Sequence, residues 1–435
     1  MADHTEHTGR NLVVLCDGTG NEISENISNV LKLYRCLRKT PKTQPRQLVY
    51  YDPGVGTLAQ PSTWHRIRAN ISLVLGLATG YGLDDNVLSA YQFLVNHWQE
   101  GDRIYLFGFS RGAYTVRVLA GLIHKIGLIT PEQSNLAGSG QIAYKQFSTD
   151  APDLGIDPNA LTDAGSDENG PLPAGEFDNA AQFARITSSR WPTIDFIGVW
   201  DTVASVLVPR RDRWLYVVTS EELAFTMMNP SVRVFRQAMA IDERRRMFRL
   251  KPWDDPQDFM SNPFAPDTAR KAQDILQVWF AGVHGDIGGS YKEAQSQVSK
   301  YPLLWMIDQA GKFGLTVNPR TVNQLAWGRS RKNSPFQYVA PDYKADIHNS
   351  MNFAWRLLEG IPKKDKYKEW PKRRSLLGHY IPCCEPRFIP EGAVIHESAV
   401  LRSKERADYK PENMPKTWQT FDMPTPPSEH VAEQE

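Results

Sequence analysis

Cysteine is scarce in this sequence, and its few cysteines form no recognisable site. The 435 residues include four cysteines, and the spacing of Cys16, Cys36, Cys383 and Cys384 fits neither a metal ligand set nor a disulfide framework. The 50 basic and 49 acidic residues nearly balance, so no overall field attracts nucleic acid. We therefore expect no nucleic-acid partner and a reducing compartment, of which the cytoplasm is the simplest.

Signals for secretion and membrane insertion are also missing from the sequence. The residues before Asn11 are polar and lack the apolar core of a secretory signal peptide. The longest apolar stretch near the front, residues 71–78, is far shorter than the roughly 20 residues that a membrane-spanning helix needs. We interpret this stretch as a buried helix or strand, with a membrane-dipping element as the alternative. A cytoplasmic location follows, unless the protein is exported by a route that needs no signal.

Apolar segments alternate with helical patterns through the first part of the chain. Hydrophobic residues make up 41% of the sequence, which is ordinary for a globular protein with a full core. The predicted elements are a strand at Asn11–Cys16, a helix at Val30–Leu37, a strand at Gln47–Tyr51, a helix through Val87, Tyr91 and Leu94, and a strand at Ile104–Phe107. This alternation predicts an α/β fold with a mostly parallel sheet and helices on both faces.

The alternation lapses and then resumes further along. Residues 130–190 are rich in Gly, Pro, Asp, Asn and Ser, which predicts a polar lid insertion. Strands follow at Thr193–Trp200 and Ile275–Val283. We expect a catalytic domain over residues 11–320, an irregular C-terminal cap packed on it over 321–409, and a Pro-rich disordered tail over 410–435.

The most informative motif is Gly-Phe-Ser-Arg-Gly at residues 108–112, directly after a predicted strand. It is followed by a nearly all-round apolar helix that begins at Ala113. Strand, Gly-x-Ser-x-Gly turn and buried helix together are typical of a nucleophile elbow, in which the flanking positions must be glycine. Ser110 is therefore the candidate nucleophile, although a tight turn that merely contains a serine is the alternative.

A serine nucleophile needs a histidine base and an acid that orients the base. Of the ten histidines, His284 follows a long apolar strand and enters a glycine turn, and Asp201 ends its strand in the same way. The chain order Ser110, Asp201, His284 is the order of the α/β-hydrolase fold. Asp286 is a competing acid, but its position two residues after His284 suggests that it braces the turn.

An oxyanion hole needs two backbone N–H groups near the nucleophile. Arg111 supplies the first, and Gly18 or Thr19 supplies the second, because their turn ends the first strand at the same edge of the sheet. Asp17-Gly18-Thr19 also looks like the nucleophile loop of aspartate-based phosphatases. That motif requires an aspartate where this chain has Leu15, which disfavours phosphatase chemistry.

Six blocks follow one another in order: Cys16–Asn21, Gly80–Leu83 with Asn86–Val87, Leu106–Ala113, Gly198–Val203, Ala240–Arg245 and Trp279–Gly289. Together they resemble the α/β-hydrolase catalytic domain of class-one lipase effectors of type VI secretion, over about residues 11–400. The resemblance places the nucleophile, acid and base on Ser110, Asp201 and His284. It implies ester hydrolysis through an acyl-enzyme without metal or cofactor, with phospholipids as substrates of characterised effectors.

Two basic segments bear on the substrate. Residues 363–374 contain seven basic and two acidic residues, which suits either peripheral contact with anionic lipid headgroups or a solvated loop. Arg210 and Arg211 could meet a substrate phosphate or pair with the acidic insertion. We predict a serine esterase that acts on a phospholipid or a soluble ester. The alternative is a non-catalytic interaction module on a hydrolase fold.

Overall fold

The computed structural model describes residues 9–18, 27–54, 82–150, 179–203, 207–209, 218–220, 223–261, 267–365, 368–370 and 374–425. Several sequence predictions fall outside these ranges: the apolar stretch at 71–78, the oxyanion role of Thr19, and the phosphate contacts of Arg210 and Arg211. The basic segment 363–374 and the tail 410–435 are described only in part. Within the described ranges, no helix combines the length and apolar character that a bilayer crossing requires.

A parallel sheet of eight strands forms the centre of the molecule. The strands are β1 (Asn11–Cys16), β2 (Gln47–Asp52), β3 (Arg103–Phe109), β4 (Ile194–Trp200), β5 (Val234–Ala240), β6 (Asp274–Phe280), β7 (Ala393–His396) and β8 (Trp418–Phe421). Their order across the sheet is β8-β7-β6-β5-β4-β3-β1-β2, and neighbours pair in parallel. All eight carboxyl ends therefore lie at one edge, where the loops can bring distant residues together.

Helices cover both faces of this sheet, as the sequence predicts. They are α1 (Asn29–Cys36), α2 (Leu83–His97), α3 (Arg111–Ile126), α4 (Ala137–Asp150), α5 (Asn179–Ile186), α6 (His284–Gly288), α7 (Lys300–Lys312), α8 (Pro319–Leu325), α9 (Phe353–Glu359) and α10 (Glu397–Glu405). In one core cluster, α2 and α3 pack against every second residue of β1. In a second cluster, α1 and α7 pack against the apolar residues of β1 that point to the opposite face. Because both faces of β1 are buried, its sequence is an almost continuous apolar run.

Smaller elements complete the described structure. Short antiparallel pairs join Leu207–Pro209 with Val218–Ser220, Asp258–Phe259 with Lys271–Ala272, and Lys363–Lys364 with His379–Tyr380. Short 3-10 helices form at Pro131–Leu136, Asp267–Ala269 and Glu293–Gln295.

The predicted lid insertion is helical where it is described. Much of residues 130–150 belongs to α4, and α5 follows after the undescribed residues 151–178. Tyr144 of α4 is fully buried, and its hydroxyl donates to the Ala224 carbonyl at 2.5 Å. Where it is described, the insertion thus lies outside the central sheet, and buried side chains such as Tyr144 attach its otherwise polar helices to the rest of the protein.

The predicted C-terminal boundaries are wrong. The sheet continues through β7 and β8 to Phe421, beyond the expected domain end at 320 and into the expected disordered tail. Main-chain pairing with β7 orders β8, and the Glu391 carboxylate accepts from the backbone N–H of Thr417 at 2.9 Å. These contacts do not depend on apolar content, so the polar composition of the tail gives no sign of them.

Strand β5 at the centre of the sheet is absent from the sequence-based prediction. Its residues Arg236 and Gln237 are polar, yet both are buried. The Arg236 guanidinium donates to Gln309 at 2.9 Å and forms an ion pair with Asp274 at 2.8 Å. Such partners let a central strand carry polar side chains that interrupt its apolar pattern.

Candidate active site

Ser110 lies at a sharp turn between β3 and α3. Its backbone has φ 59° and ψ −122°, and α3 begins at the next residue. A Cβ on Gly108 would collide with the Gly112 carbonyl, and a Cβ on Gly112 would collide with the Cys16 carbonyl. Glycine at both positions therefore permits the turn, which holds the Ser110 hydroxyl at the carboxyl edge of the sheet.

The structure brings Ser110, His284 and Asp201 into one hydrogen-bonded chain. Ser110 Oγ lies 2.8 Å from His284 Nε2, and His284 Nδ1 lies 2.5 Å from Asp201 Oδ2. All three residues are buried, and each follows a different strand of the sheet. With Asp201 ionised, Nδ1 carries the imidazole proton, and the free electron pair of Nε2 faces the serine hydroxyl.

The backbone around Asp201 fixes its carboxylate. Asp201 directly follows β4 and has φ 45°, a left-handed conformation. Its own N–H donates to the Ala238 carbonyl at 2.8 Å, and its Oδ1 accepts from the Ala240 N–H at 2.9 Å. Two bonds to β5 therefore hold the strained turn in place, which aims Oδ2 at the imidazole.

Arg387 completes the surroundings of Asp201, and sequence reasoning missed it. Its guanidinium is buried and donates to both carboxylate oxygens of Asp201, at 2.5 Å and 2.9 Å. Burial alone would raise the pKa of Asp201, but the charge of Arg387 and the hydrogen bond from His284 outweigh it and hold that pKa well below the usual carboxyl range. Asp201 therefore stays ionised. Arg387 follows no strand and carries no motif, so no local pattern points to it.

Glu243 binds the backbone of His284, and sequence reasoning missed it as a site residue as well. Its buried carboxylate accepts from the His284 N–H at 3.1 Å and binds the Arg245 side chain at 2.8 Å and 2.9 Å. Burial raises the pKa of Glu243, but Arg245 outweighs it and lowers the pKa to about 2. The sequence signal was present, since Glu243 lies in the block Ala240–Arg245, one of the six blocks that carry the resemblance.

The His284 ring lies between two aromatic side chains. Its centroid is 4.7 Å from that of Phe109 and 4.9 Å from that of Phe248. Burial lowers the pKa of His284, and the hydrogen bond to Asp201 opposes this only in part. The imidazole is therefore neutral at neutral pH, as a general base must be.

Asp286 braces the turn of α6 as predicted. Its Oδ2 accepts from the Val283 N–H at 3.0 Å. Its Oδ1 lies 2.6 Å from Nδ1 of His348. The His348 ring stacks on Tyr291 with centroids 3.4 Å apart. A second aspartate–histidine pair thus lies beside the first.

The predicted oxyanion donors are brought near the elbow as far as they are described. A Cβ on Gly112 would lie 2.6 Å from the Asp17 carbonyl, so the Asp17–Gly18 turn touches the start of α3. The Gly18 N–H already donates to the Asp17 carboxylate at 2.7 Å. The roles of Gly18 and of the Arg111 N–H therefore stay predictions.

A cavity of about 510 Å³ adjoins the far side of this site. Its mainly apolar walls include Met239, Leu250, Trp279, Phe388 and Val394. The charged residues that line it are Arg387, Asp255 and Glu369. For metals, the described residues contain no group of three or more His, Cys, Asp or Glu side chains placed to hold an ion.

Comparison with known proteins identifies the family. The model of the Tle1-like phospholipase effector catalytic domain of the type VI secretion system matches residues 10–309. The chain belongs to this family. The matched residues include Ser110, Asp201 and His284, whereas His348 and Arg387 lie beyond them.

Three individual relatives share at most 30% sequence identity with this Tle1-like chain. It is 30% identical to the uncharacterized protein YEL023C of Saccharomyces cerevisiae, covering 85% of this chain and 64% of that protein. A crystal structure of an uncharacterized Pseudomonas aeruginosa protein covers 72% of this chain and 47% of its own, with 16% identity and a TM-score of 0.35. The structure of the Tle1 effector bound to the VgrG spike matches 67% of this chain and 53% of the effector chain, with 16% identity and a TM-score of 0.30. The chain thus spans less than two thirds of each relative's length.

Proposed function

We propose that this protein is a serine hydrolase that cleaves carboxylic esters of phospholipids through an acyl-enzyme. The observation that carries the proposal is the unbroken hydrogen-bonded chain from Ser110 Oγ through His284 to Asp201, at a strained Gly-x-Ser-x-Gly turn. Membership of a family described by its phospholipase effectors supports the choice of lipid esters.

In the first half of the reaction, Ser110 Oγ forms a bond to the ester carbonyl carbon while its proton passes to His284 Nε2. The resulting imidazolium is stabilised by Asp201, which Arg387 keeps ionised. The N–H of Arg111 and a donor from the turn at Gly18 and Thr19 stabilise the negative oxygen of the tetrahedral intermediate. His284 then protonates the leaving alcohol, and the acyl group remains on Ser110.

The second half returns the enzyme to its starting state. His284 Nε2 removes a proton from water, and the hydroxide attacks the acyl-serine carbonyl. Collapse of the second tetrahedral intermediate breaks the bond to Ser110 Oγ, which takes back the proton from His284. The products are a fatty acid and, from a phospholipid, a lysolipid or its deacylated counterpart.

The decisive variant is Ser110→Ala, which removes the nucleophile and leaves the turn. We expect kcat/KM on a short-chain aryl ester to fall by about 10⁴-fold or more, because the remaining parts of such a site supply only a small share of the rate. A fluorophosphonate probe should label the wild-type protein at Ser110 and should not label the variant.

Ser403→Ala is the matched control, since it changes a half-buried serine on α10 far along the chain from the elbow. It should hydrolyse the ester and take up the probe like the wild type. Unchanged hydrolysis by a folded Ser110→Ala protein would refute the proposal, and absent labelling of the folded wild type would favour a non-catalytic interaction module. Release of fatty acid and lysolipid from phosphatidylcholine vesicles tests the lipid substrate.

A further inference from the structure

Exposed apolar side chains are concentrated in one C-terminal segment. Among the described residues, eleven large apolar side chains are exposed, and seven of these lie between residues 353 and 388. We call six of them the apolar ridge: Phe353, Leu357, Ile361, Leu376, Leu377 and Ile381. Isolated exposed apolar residues are normal, but such a concentration indicates an interaction surface.

Backbone contacts bring the segments that carry the apolar ridge next to one another. Phe353 and Leu357 lie four residues apart on one face of α9. Beyond α9, Lys363–Lys364 pairs with His379–Tyr380, next to Leu376, Leu377 and Ile381. The Cys383 N–H donates to the Glu359 carbonyl at 3.3 Å, which ties this hairpin to the end of α9.

The turn at residues 376–379 exposes Leu376 and Leu377, and Leu377 adopts an unfavourable backbone conformation there. Leu377 is 91% exposed and has φ 50°, a left-handed conformation that is unfavourable for a leucine. The Leu376 N–H and carbonyl both bond to His379, at 2.8 Å and 3.0 Å, which closes the turn. A strained, solvent-exposed leucine gains nothing within the protein, so its exposure points to an external partner.

Charge around the apolar ridge is basic on the outside. Arg356 and Arg374 are exposed. The acidic side chains of the segment are less available: Glu359 and Glu385 are buried, Glu369 pairs with Arg249 at 3.3 Å, and Asp365 is half-buried. Outward cations beside apolar side chains match the anionic headgroups and acyl boundary of a lipid bilayer.

The apolar ridge is also tied to the proposed active site. Trp355, on the buried side of α9, packs edge-on against Phe248 at 5.7 Å, and Phe248 packs against His284 at 4.9 Å. Arg246 donates to the carbonyls of Leu358 and Ile361, at 2.8 Å and 2.6 Å. One helix thus separates the apolar ridge from the residues around the imidazole.

We propose that the apolar ridge and its flanking arginines are the surface through which this protein seats on an anionic lipid bilayer. Its apolar side chains enter the boundary between headgroups and acyl chains, and Arg356 and Arg374 meet lipid phosphates. The inference rests on the proposed hydrolase function and deepens it, because it makes the substrate a lipid within a membrane rather than a soluble ester.

The test compares vesicle binding with hydrolysis of a soluble ester. The double variant Leu376→Ser/Leu377→Ser should bind vesicles of phosphatidylcholine with about one third phosphatidylserine at least about tenfold more weakly in co-sedimentation. It should hydrolyse the aryl ester at the wild-type rate, since neither residue touches the site. The matched control Ile142→Ser/Ile186→Ser changes two other exposed apolar residues, on α4 and α5, and should bind like the wild type.

Two further proteins separate this proposal from the preceding one. Ser110→Ala should bind vesicles normally while releasing no fatty acid, so lost binding and lost chemistry are independent results. Arg356→Gln/Arg374→Gln should weaken binding to the anionic vesicles more than to pure phosphatidylcholine. Unchanged binding by the double leucine variant would overturn the proposal. The proposal would also be overturned if the wild-type protein did not bind vesicles and instead formed a dimer that the double leucine variant dissociates.

Discussion

Two aspartate–histidine pairs meet at the turn of α6, and their direct contacts are nearly identical. The Nδ1–Oδ distance is 2.5 Å in Asp201–His284 and 2.6 Å in Asp286–His348. Both carboxylates are buried. The pair geometry alone therefore does not distinguish a catalytic base from a structural histidine.

The surroundings of the two pairs differ. Nε2 of His284 faces the Ser110 hydroxyl, whereas the His348 ring lies flat against Tyr291. The His284 side chain is 6% exposed and that of His348 is 21% exposed. Arg387 binds both oxygens of Asp201, while backbone N–H groups of Val283 and His348 bind Asp286. The two pairs thus differ in what the second ring nitrogen of the histidine faces and in whether a charged side chain binds the carboxylate.

Replacing each histidine in turn gives the largest expected contrast. His284→Gln should lower kcat/KM on an aryl ester by about 10⁴-fold or more, because no group then accepts the serine proton. His348→Gln should change it by less than about tenfold, since the ring packs on the turn but does not face Ser110. Steady-state kinetics on both folded variants measure the difference. Comparable losses in the two variants would mean that His348 also takes part in proton transfer.

Removing the arginine tests the charge that separates the two acids. Arg387→Gln should lower kcat by about 10- to 100-fold, which corresponds to the loss of a charged hydrogen bond of about 1.5–3 kcal/mol. KM should change little, because Arg387 acts through Asp201 rather than on substrate. Arg387→Lys should recover part of the rate by restoring the charge without the bidentate geometry. A rise in KM with unchanged kcat would contradict this positioning role.

The pH dependence gives the smallest effect and the finest distinction. His284 must be neutral to act, so kcat/KM should rise as pH increases through its pKa. Because burial lowers that pKa from the ordinary value of 6.5, the midpoint of the rise should lie below pH 6.5. His348→Gln should leave the midpoint in place. A midpoint above pH 6.5 would show that the charged imidazole is stabilised in the free enzyme and that the burial argument fails.

Much of the fold and the central part of the candidate site could be predicted from the sequence. A glycine turn after an apolar strand has few conformations, so the Ser110 elbow follows from local sterics. Asp201 directly follows β4 and His284 comes four residues after β6, and parallel strands place their carboxyl ends together. Short-range patterns therefore determined β1 to β4, β6 and the three hydrogen-bonded residues.

Only the tertiary structure decided what surrounds those residues. Arg387 reaches Asp201 across 186 positions of sequence, and the buried pair exists because folding places two charges in contact. Main-chain pairing fixes β8, and polar partners fix β5, so neither strand needs an apolar pattern. The apolar ridge is likewise a property of exposure, which depends on which residues fold over each other. Local sterics and periodicity depend on residues that are close in sequence, whereas charge pairing and burial depend on contacts between distant parts of the chain.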